Sequence, residues 1–242
     1  MTGAPADEPV AGQLRRGQLQ QGLSAVQARI AAACGQAGRD PAAVHLVVVT
    51  KTYPASDVAA LADLGVRDFG ESRDQEAAPK AAALLAKGLR WHFIGRLQSN
   101  KARHVAQYAH VVHSLDRLSL VLPLDHGAEQ AGRRVDCLLQ VSLDGDPSRG
   151  GARAAELPAL AAAVAARTHL RVRGIMAVAP VGSDPWRVFA ALPGLSAALR
   201  EDHPHADMVS AGMSGDLEAA VAHGATHLRV GSAVLGARPV LG

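Results

Sequence analysis

The sequence predicts an α/β fold, a single (β/α)8 or TIM barrel with an extra helix at its N-terminus. Eight short strand-like segments alternate with helical segments along the chain, and this alternation is typical of parallel strands joined by right-handed crossovers. The first strand ends in Thr50-Lys51-Thr52, whereas a doubly wound dinucleotide-binding sheet usually has a glycine-rich turn there. No long linker or internal repeat divides the chain, so we expect one domain.

The chain is expected to begin with a tail and a long helix. Residues 1–11 lack the basic and apolar regions of a signal peptide and are predicted to be disordered. The barrel domain is assigned to residues 12–242. Four apolar residues recur at helical spacing and predict an amphipathic helix over about residues 12–35: Leu19, Leu23, Val26 and Ile30.

The strands and helices of the barrel then follow in order. Apolar and β-branched segments predict strands at Val44–Thr50, Arg67–Gly70, Trp91–Ile94, Val111–Ser114, Asp136–Val141, Val172–Ala177, Met208–Ser210 and Leu228–Val230. Helices are predicted between them at Ser56–Leu64, Arg73–Ala86, Ser99–Tyr108, Asp116–Ala131, Arg153–Ala166, Pro185–Leu199 and Gly215–Ala222. A last helical turn is expected at Ser232–Gly236, and the glycine-rich stretch 145–151 is expected to be a loop.

Composition excludes several classes of protein. The 242 residues are 48% hydrophobic and 19% charged, with a net charge of +3 that is spread along the chain. A basic tail or basic run with aromatics, typical of nucleic-acid binding, is missing, and so is an apolar stretch long enough to span a membrane. Cys34 and Cys137 are too isolated to predict a zinc site or a disulfide framework. We therefore expect a cytoplasmic protein without a metal.

Lys51 is the first candidate for chemistry. The chain has only four lysines, at positions 51, 80, 87 and 101, among 25 basic residues, and this one ends the apolar first strand. Desolvation of an ammonium lowers its pKa toward the range in which the amine is nucleophilic, so Lys51 is a candidate for Schiff-base formation with a carbonyl compound. The alternative is a lysine that extends from a strand end to solvent.

The loops after strands seven and eight are candidates for binding a phosphate. TIM barrels often bind phosphate there, through backbone N–H groups and the start of a short helix. Gly212-Met213-Ser214-Gly215 and Gly231-Ser232 have the small residues that allow a close backbone approach. Asp216 and Glu218 would repel a phosphate if they pointed inward. A Schiff-base lysine and a phosphate site together predict a ligand with an aldehyde and a phosphate, as in pyridoxal 5′-phosphate (PLP).

The same segments resemble the pyridoxal phosphate homeostasis protein family, whose members are similar to the barrel domain of alanine racemase. The resemblance extends from about residue 12 to residue 238. It is based on Thr50-Lys51-Thr52, Phe69-Gly70-Glu71 with Gln75-Glu76, Trp91–Gly95 with Leu97–Lys101, Gly174-Ile175-Met176, Gly212-Met213-Ser214 with Asp216–Ala220, and Arg229–Ser232 with Gly236-Ala237-Arg238.

The resemblance implies a set of cofactor-binding residues. Lys51 would form the internal aldimine with PLP, and Arg229 would lie beside the pyridine nitrogen. The phosphate would be held by Ser214, Gly231 and Ser232 and by the Gly212–Met213 backbone, with Ser72 and Met176 also contacting the cofactor. The family often has asparagine at the position of Ser72 and a second lysine at the position of Tyr53.

Two main functions are compatible with this site. The first is a carrier that buffers or delivers PLP to apo forms of PLP-dependent enzymes. The second is a weak amino-acid racemase, which needs a base on each face of the substrate; in alanine racemase one of them is a tyrosine of an additional β domain. The chain ends at Gly242, soon after the barrel, so we expect a non-catalytic carrier, and a monomer. A Schiff-base aldolase is a third possibility.

His92 and His113 have no carboxylate partner nearby in the sequence.

Overall fold

Eight parallel strands close into a barrel in chain order, with the last strand paired to the first. The structure, a computed structural model, describes residues 8–146 and 150–236. The strands are β1 (His45–Val49), β2 (Asp68–Glu71), β3 (Arg90–Phe93), β4 (Val111–Leu115), β5 (Val135–Gln140), β6 (Leu170–Met176), β7 (Met208–Ser210) and β8 (His227–Val230). Each overlaps a predicted strand, so the predicted TIM barrel is confirmed.

Helices cover the outside of the barrel between the strands. They are α1 (Glu8–Gln36), α2 (Ala55–Asp63), α3 (Asp74–Ala83), α4 (Ser99–Tyr108), α5 (Val121–Gln130), α6 (Leu157–Ala165), α7 (Pro185–Phe189), α8 (Leu192–Asp202), α9 (Leu217–Ala222) and α10 (Ser232–Leu235). The last of these is the predicted helical turn. Within the described residues, no helix combines the length and apolar character that crossing a bilayer requires.

Proline explains the main departure from the predicted helices. The segment predicted as one helix, Pro185–Leu199, is two helices in the structure. Pro193 lies in the first turn of α8, where its missing N–H costs nothing, whereas inside a longer helix it would remove a hydrogen bond and clash with the preceding turn. The helix therefore ends and restarts before this residue.

The N-terminal helix α1 packs against α2, α9 and α10. It begins at Glu8, four residues before the predicted start, and the rest of the predicted tail, residues 1–7, lies outside the described residues. The predicted apolar face is buried. Gly22 faces α10 so closely that a Cβ atom would clash with the carbonyl oxygen of Val234. Arg15 donates to the carbonyl oxygen of Leu235 at 3.1 Å and to Asp57 of α2. The helix thus holds the last turn of the barrel in place.

The barrel interior contains polar side chains. The buried His92 ring lies 5.1 Å from His113 and 6.5 Å from His227, and the exposed His45 at the start of β1 lies 5.0 Å from His227. A small apolar cluster from β4 to β7, which includes Met176, forms a separate buried group. The interior is therefore divided into an apolar part and a histidine-rich part.

Candidate functional site

A pocket of about 260 Å³ lies at the carboxyl ends of β1, β7 and β8. Two of its lining residues, Lys51 and Arg229, carry positive charge, and none of the described lining residues is a carboxylate. Such a surface favours an anionic ligand. The lining residues are Val49, Lys51, Tyr53, Ile94, Met213, Ser214, Gly215, Arg229, Gly231 and Ser232. Six of the nine predicted cofactor-binding residues are among them.

Lys51 follows β1 in a turn and is half-buried, so it lies at the strand end rather than on the buried strand itself. Among the described residues, its ammonium group has no hydrogen-bond or ion-pair partner. An amine that lines a pocket without a partner can be reached by a ligand.

A buried cluster behind the pocket holds the turn that carries Lys51. Lys80 of α3 donates to the carbonyl oxygen of Thr50 at 2.8 Å and to Glu71 Oε1 at 2.7 Å. The hydroxyl of Thr50 donates to the same carboxylate oxygen at 2.7 Å. Burial raises the pKa of Glu71, and Lys80 opposes that shift. This ion pair was not predicted from the sequence, in which Lys80 is simply a lysine within a predicted helix.

Thr52 shows that this turn is strained. Its φ angle is 71°, a conformation that β-branched residues rarely adopt and that costs about 1–3 kcal/mol. The backbone N–H of Thr52 donates to Glu76 Oε2 at 2.8 Å. Contacts on both sides of Lys51 therefore fix the path of the chain through it.

The loop after β7 contributes only some of its predicted residues to the pocket. Gly212 has a φ angle of 91°, and a Cβ atom there would lie 2.6 Å from the Cβ of Ala220 and 2.8 Å from the side chain of Leu228. Gly212 therefore packs against α9 and β8 and does not line the pocket. The N–H of Met213 already donates to Asp216. The residues of this loop that line the pocket are Met213, Ser214 and Gly215.

The two acidic residues after this loop are both engaged elsewhere. Asp216 accepts from the Met213 backbone. Glu218 forms an ion pair with Arg29 of α1 at 2.8 Å, and Arg29 also donates to the carbonyl oxygen of Ser214. Neither carboxylate lines the pocket, so the repulsion considered from the sequence does not arise from Glu218 and is reduced for Asp216 by its hydrogen bond.

Arg229 of β8 is 4% exposed and lies at the base of the pocket. It donates to Ser210 Oγ at 2.6 Å and to the carbonyl oxygen of Ala177 at 2.9 Å. Burial lowers the pKa of Arg229 to about 10, and the charge of Asp216 opposes this shift. The guanidinium is therefore still protonated at neutral pH and can only donate hydrogen bonds.

Ser72 and Met176 do not join the other predicted residues. Ser72 lines a separate pocket of about 600 Å³, together with Arg73, Arg96 and Lys101. Met176 is 2% exposed and packs inside the barrel within the apolar cluster.

His92 and His113 are hydrogen-bonded to each other, and His92 also contacts a carboxylate, although neither histidine has a carboxylate partner nearby in the sequence. His92 Nε2 lies 2.8 Å from Asp68 Oδ1, and its Nδ1 lies 2.8 Å from His113 Nε2. Asp68 lies on the neighbouring strand, which explains why sequence proximity did not identify it. Both histidines are buried.

The buried histidines predict that acid destabilises the fold. Burial lowers the pKa of His227 to about 3 and that of His113 well below its ordinary value, whereas an unfolded histidine titrates near 6.5. Between these values the unfolded state binds more protons, so the free energy of unfolding falls as the pH drops below about 6.5. We expect a loss of about 1.4 kcal/mol per pH unit for each such histidine within that window. Glu71, whose pKa is raised, acts in the opposite direction.

Urea unfolding at pH 7 and pH 5 measures this loss while most carboxylates remain ionised. The loss should be smaller in His227→Phe, provided that the variant folds, and unchanged in His205→Phe, which alters an exposed histidine. An equal loss in all three proteins would contradict the assignment.

Comparisons with known proteins agree with the barrel fold. Residues 22–239 match the family model of the alanine racemase N-terminal domain. The chain is 42% identical to the pyridoxal phosphate homeostasis protein of Mycobacterium tuberculosis over 243 residues, which covers 93% of this chain and 94% of that protein. The protein of the same name from Pseudomonas aeruginosa is 42% identical over 220 residues, 91% of this chain and 96% of the relative.

A similar solved structure is that of PipY from Synechococcus elongatus with PLP bound. It is 34% identical in sequence, with a TM-score of 0.76, and the match covers 90% of this chain and 100% of that one. The likeness thus extends over the barrel and is not confined to a single motif.

Proposed function

This chain belongs to the pyridoxal phosphate homeostasis protein family, a group with the alanine racemase N-terminal domain, and from that premise we propose that it binds PLP as a Schiff base on Lys51. We further propose that it buffers or delivers the cofactor in the cytoplasm, as a monomer. The recipients would be apo forms of PLP-dependent enzymes, which it would contact transiently.

The observation that carries this proposal is the composition of the 260 Å³ pocket. It brings the unpartnered amine of Lys51 together with Ser214–Gly215 and Gly231–Ser232. An aldehyde can condense with the amine, and small residues with accessible backbone and hydroxyl groups suit a phosphate. Lys51 and Arg229 balance the charge of that phosphate, and no described lining residue is a carboxylate that would repel it. The described residues therefore fit PLP, and PLP bound to PipY gives independent support.

Arg229 is proposed to face the ring nitrogen of the cofactor. PLP, when bound, can act as an electron sink for reactions at the carbon next to an amine. A protonated guanidinium donates a hydrogen bond and favours an unprotonated ring nitrogen, which weakens that property. This arrangement favours storage of the cofactor over catalysis.

The racemase alternative needs a second proton-transferring group in the pocket. Tyr53 lines the pocket, but its hydroxyl donates to the carbonyl oxygen of Gly236 at 2.7 Å. Tyr108 lies on α4, outside the barrel. These residues therefore favour the carrier hypothesis over the racemase hypothesis.

Titration of the purified protein with PLP tests the proposal. We expect the absorbance band of a protonated Schiff base, and a stoichiometric gain in mass after borohydride reduction. Neither signal would appear if the pocket does not take PLP, and the proposal would then be wrong. Incubation of the loaded protein with single enantiomers of alanine and serine should leave them unchanged, and their interconversion would favour the racemase.

A further inference from the structure

Five polar side chains form one continuous hydrogen-bonded chain inside the barrel. It begins at Asp68 and passes through His92 to His113, with both distances 2.8 Å. His113 Nδ1 lies 2.9 Å from Ser210 Oγ, which accepts from Arg229 at 2.6 Å. The chain therefore connects β2 with the arginine of the pocket.

This chain crosses the interior of the barrel. His113 lies on β4 and Ser210 on β7, two strands that are not neighbours in the sheet. The four members from His92 to Arg229 are at most 4% exposed, whereas the side chain of Asp68 is 28% exposed. The carboxylate thus lies at an accessible end, and the guanidinium lies at the pocket.

Only one direction of donation satisfies every member. Burial lowers the pKa of both histidines, so each is neutral and has one donor and one acceptor. Although burial opposes it, the hydrogen bond with His92 lowers the pKa of Asp68, which is therefore ionised and accepts. His92 must then donate from Nε2 and accept at Nδ1. His113 in turn donates from Nε2 and accepts at Nδ1 from Ser210, whose oxygen accepts from Arg229.

The energetic role of this chain follows from the burial of Arg229. Within the described residues, no carboxylate forms an ion pair with its guanidinium, and an uncompensated buried charge is costly. A row of hydrogen bonds that ends on a carboxylate polarises each acceptor along the row. The oxygen of Ser210 therefore becomes a stronger acceptor for Arg229 than an isolated hydroxyl.

We propose that His113 and Ser210 are positioning residues, which fix the guanidinium of Arg229 in the pocket through a one-way hydrogen-bond chain anchored on Asp68. That Arg229 is thereby held against the cofactor ring rests on the proposed function. The existence and direction of the hydrogen-bond chain are independent of the proposed function, because they concern the protein alone.

Nitrogen-15 NMR of the protein without added PLP tests the chain itself. Long-range proton–nitrogen spectra should show His92 and His113 protonated at Nε2 and not at Nδ1. The guanidinium N–H signals of Arg229 should be sharp because its rotation is hindered. Ser210→Ala should broaden them, whereas Ser114→Ala should not. Ser114 is a matched control, since it is also buried on a strand but its hydroxyl has no hydrogen-bond partner among the described residues.

Protonation of His113 at Nδ1, or arginine signals that do not respond to Ser210→Ala, would overturn the proposal. If Ser210→Ala fails to fold, the protonation pattern of the unmodified protein still decides it.

The connection to the cofactor is tested separately by the dissociation constant of PLP. This constant should rise about 10-fold in Ser210→Ala, which is the effect of one lost hydrogen bond to a charged group. It should stay unchanged in Ser114→Ala. An equal constant in both variants would show that the chain does not support the cofactor. If the unmodified protein takes no PLP, the proposed function is wrong, while the NMR result still decides the role of Ser210.

Discussion

Lys51→Ala is expected to abolish covalent attachment of PLP, from stoichiometric to none. Lys51 supplies the only lysine amine among the described residues that line the 260 Å³ pocket. Without it, the aldehyde has no nucleophile there, although the phosphate can still be bound by the loops after β7 and β8. Mass spectrometry after borohydride reduction measures the attachment, and the Schiff-base absorbance band should disappear in parallel.

The matched control for this variant is Lys87→Ala. Lys87 is an exposed lysine that pairs with Asp63, away from the pocket, and its replacement should leave attachment intact. Both variants should fold, because the ammonium group of Lys51 has no partner among the described residues and Lys87 forms only an exposed ion pair. Retention of borohydride-fixed cofactor in Lys51→Ala would show that another amine is used.

Lys80→Met is expected to lower the free energy of unfolding by about 3–5 kcal/mol, since it leaves a buried carboxylate without its partner. Glu71 is 1% exposed, and its oxygen Oε2 already lacks a hydrogen-bond partner among the described residues. Urea unfolding should therefore show a large drop in midpoint. We also expect weaker binding of PLP, because the carbonyl of Thr50 loses its donor beside Lys51.

Two further variants separate the effect of this ion pair from a general effect of losing a lysine. Lys87→Met breaks an exposed pair and should cost less than about 1 kcal/mol. The double variant Lys80→Met with Glu71→Leu removes both charges and should recover most of the loss. If Lys80→Met and Lys87→Met had equal effects, Lys80 and Glu71 would not form the stabilising pair inferred here.

The architecture of this protein could be predicted because it depends on local patterns. Short strand-like segments that alternate with helical segments mark the eight strands, and the known position of TIM-barrel sites then groups the strand ends. This reasoning was sufficient to bring Lys51, Ser214 and Ser232 into one pocket. It requires only the order of the elements, and not the direction of individual side chains.

The polar partners could not be predicted because they depend on packing across the barrel. His113 and Ser210 are separated by 97 positions in the sequence, and Asp68 and His92 by 24. Nothing in their spacing indicates that they meet. That Ser72 and Met176 lie outside the 260 Å³ pocket could not be predicted either, because it depends on the path of the loop after β2 and on packing inside the barrel.

The closure of β8 onto β1 has a consequence for biosynthesis. The pocket joins Lys51 to Ser232, about 180 positions further along the chain, and proteins are synthesised from the N-terminus. A nascent chain on the ribosome has the amine long before it has the residues proposed for the phosphate. The proposed capture of the cofactor therefore requires a chain that has already formed β8, so a ribosome-bound chain that lacks β8 would not deplete the cellular pool of free cofactor through this pocket.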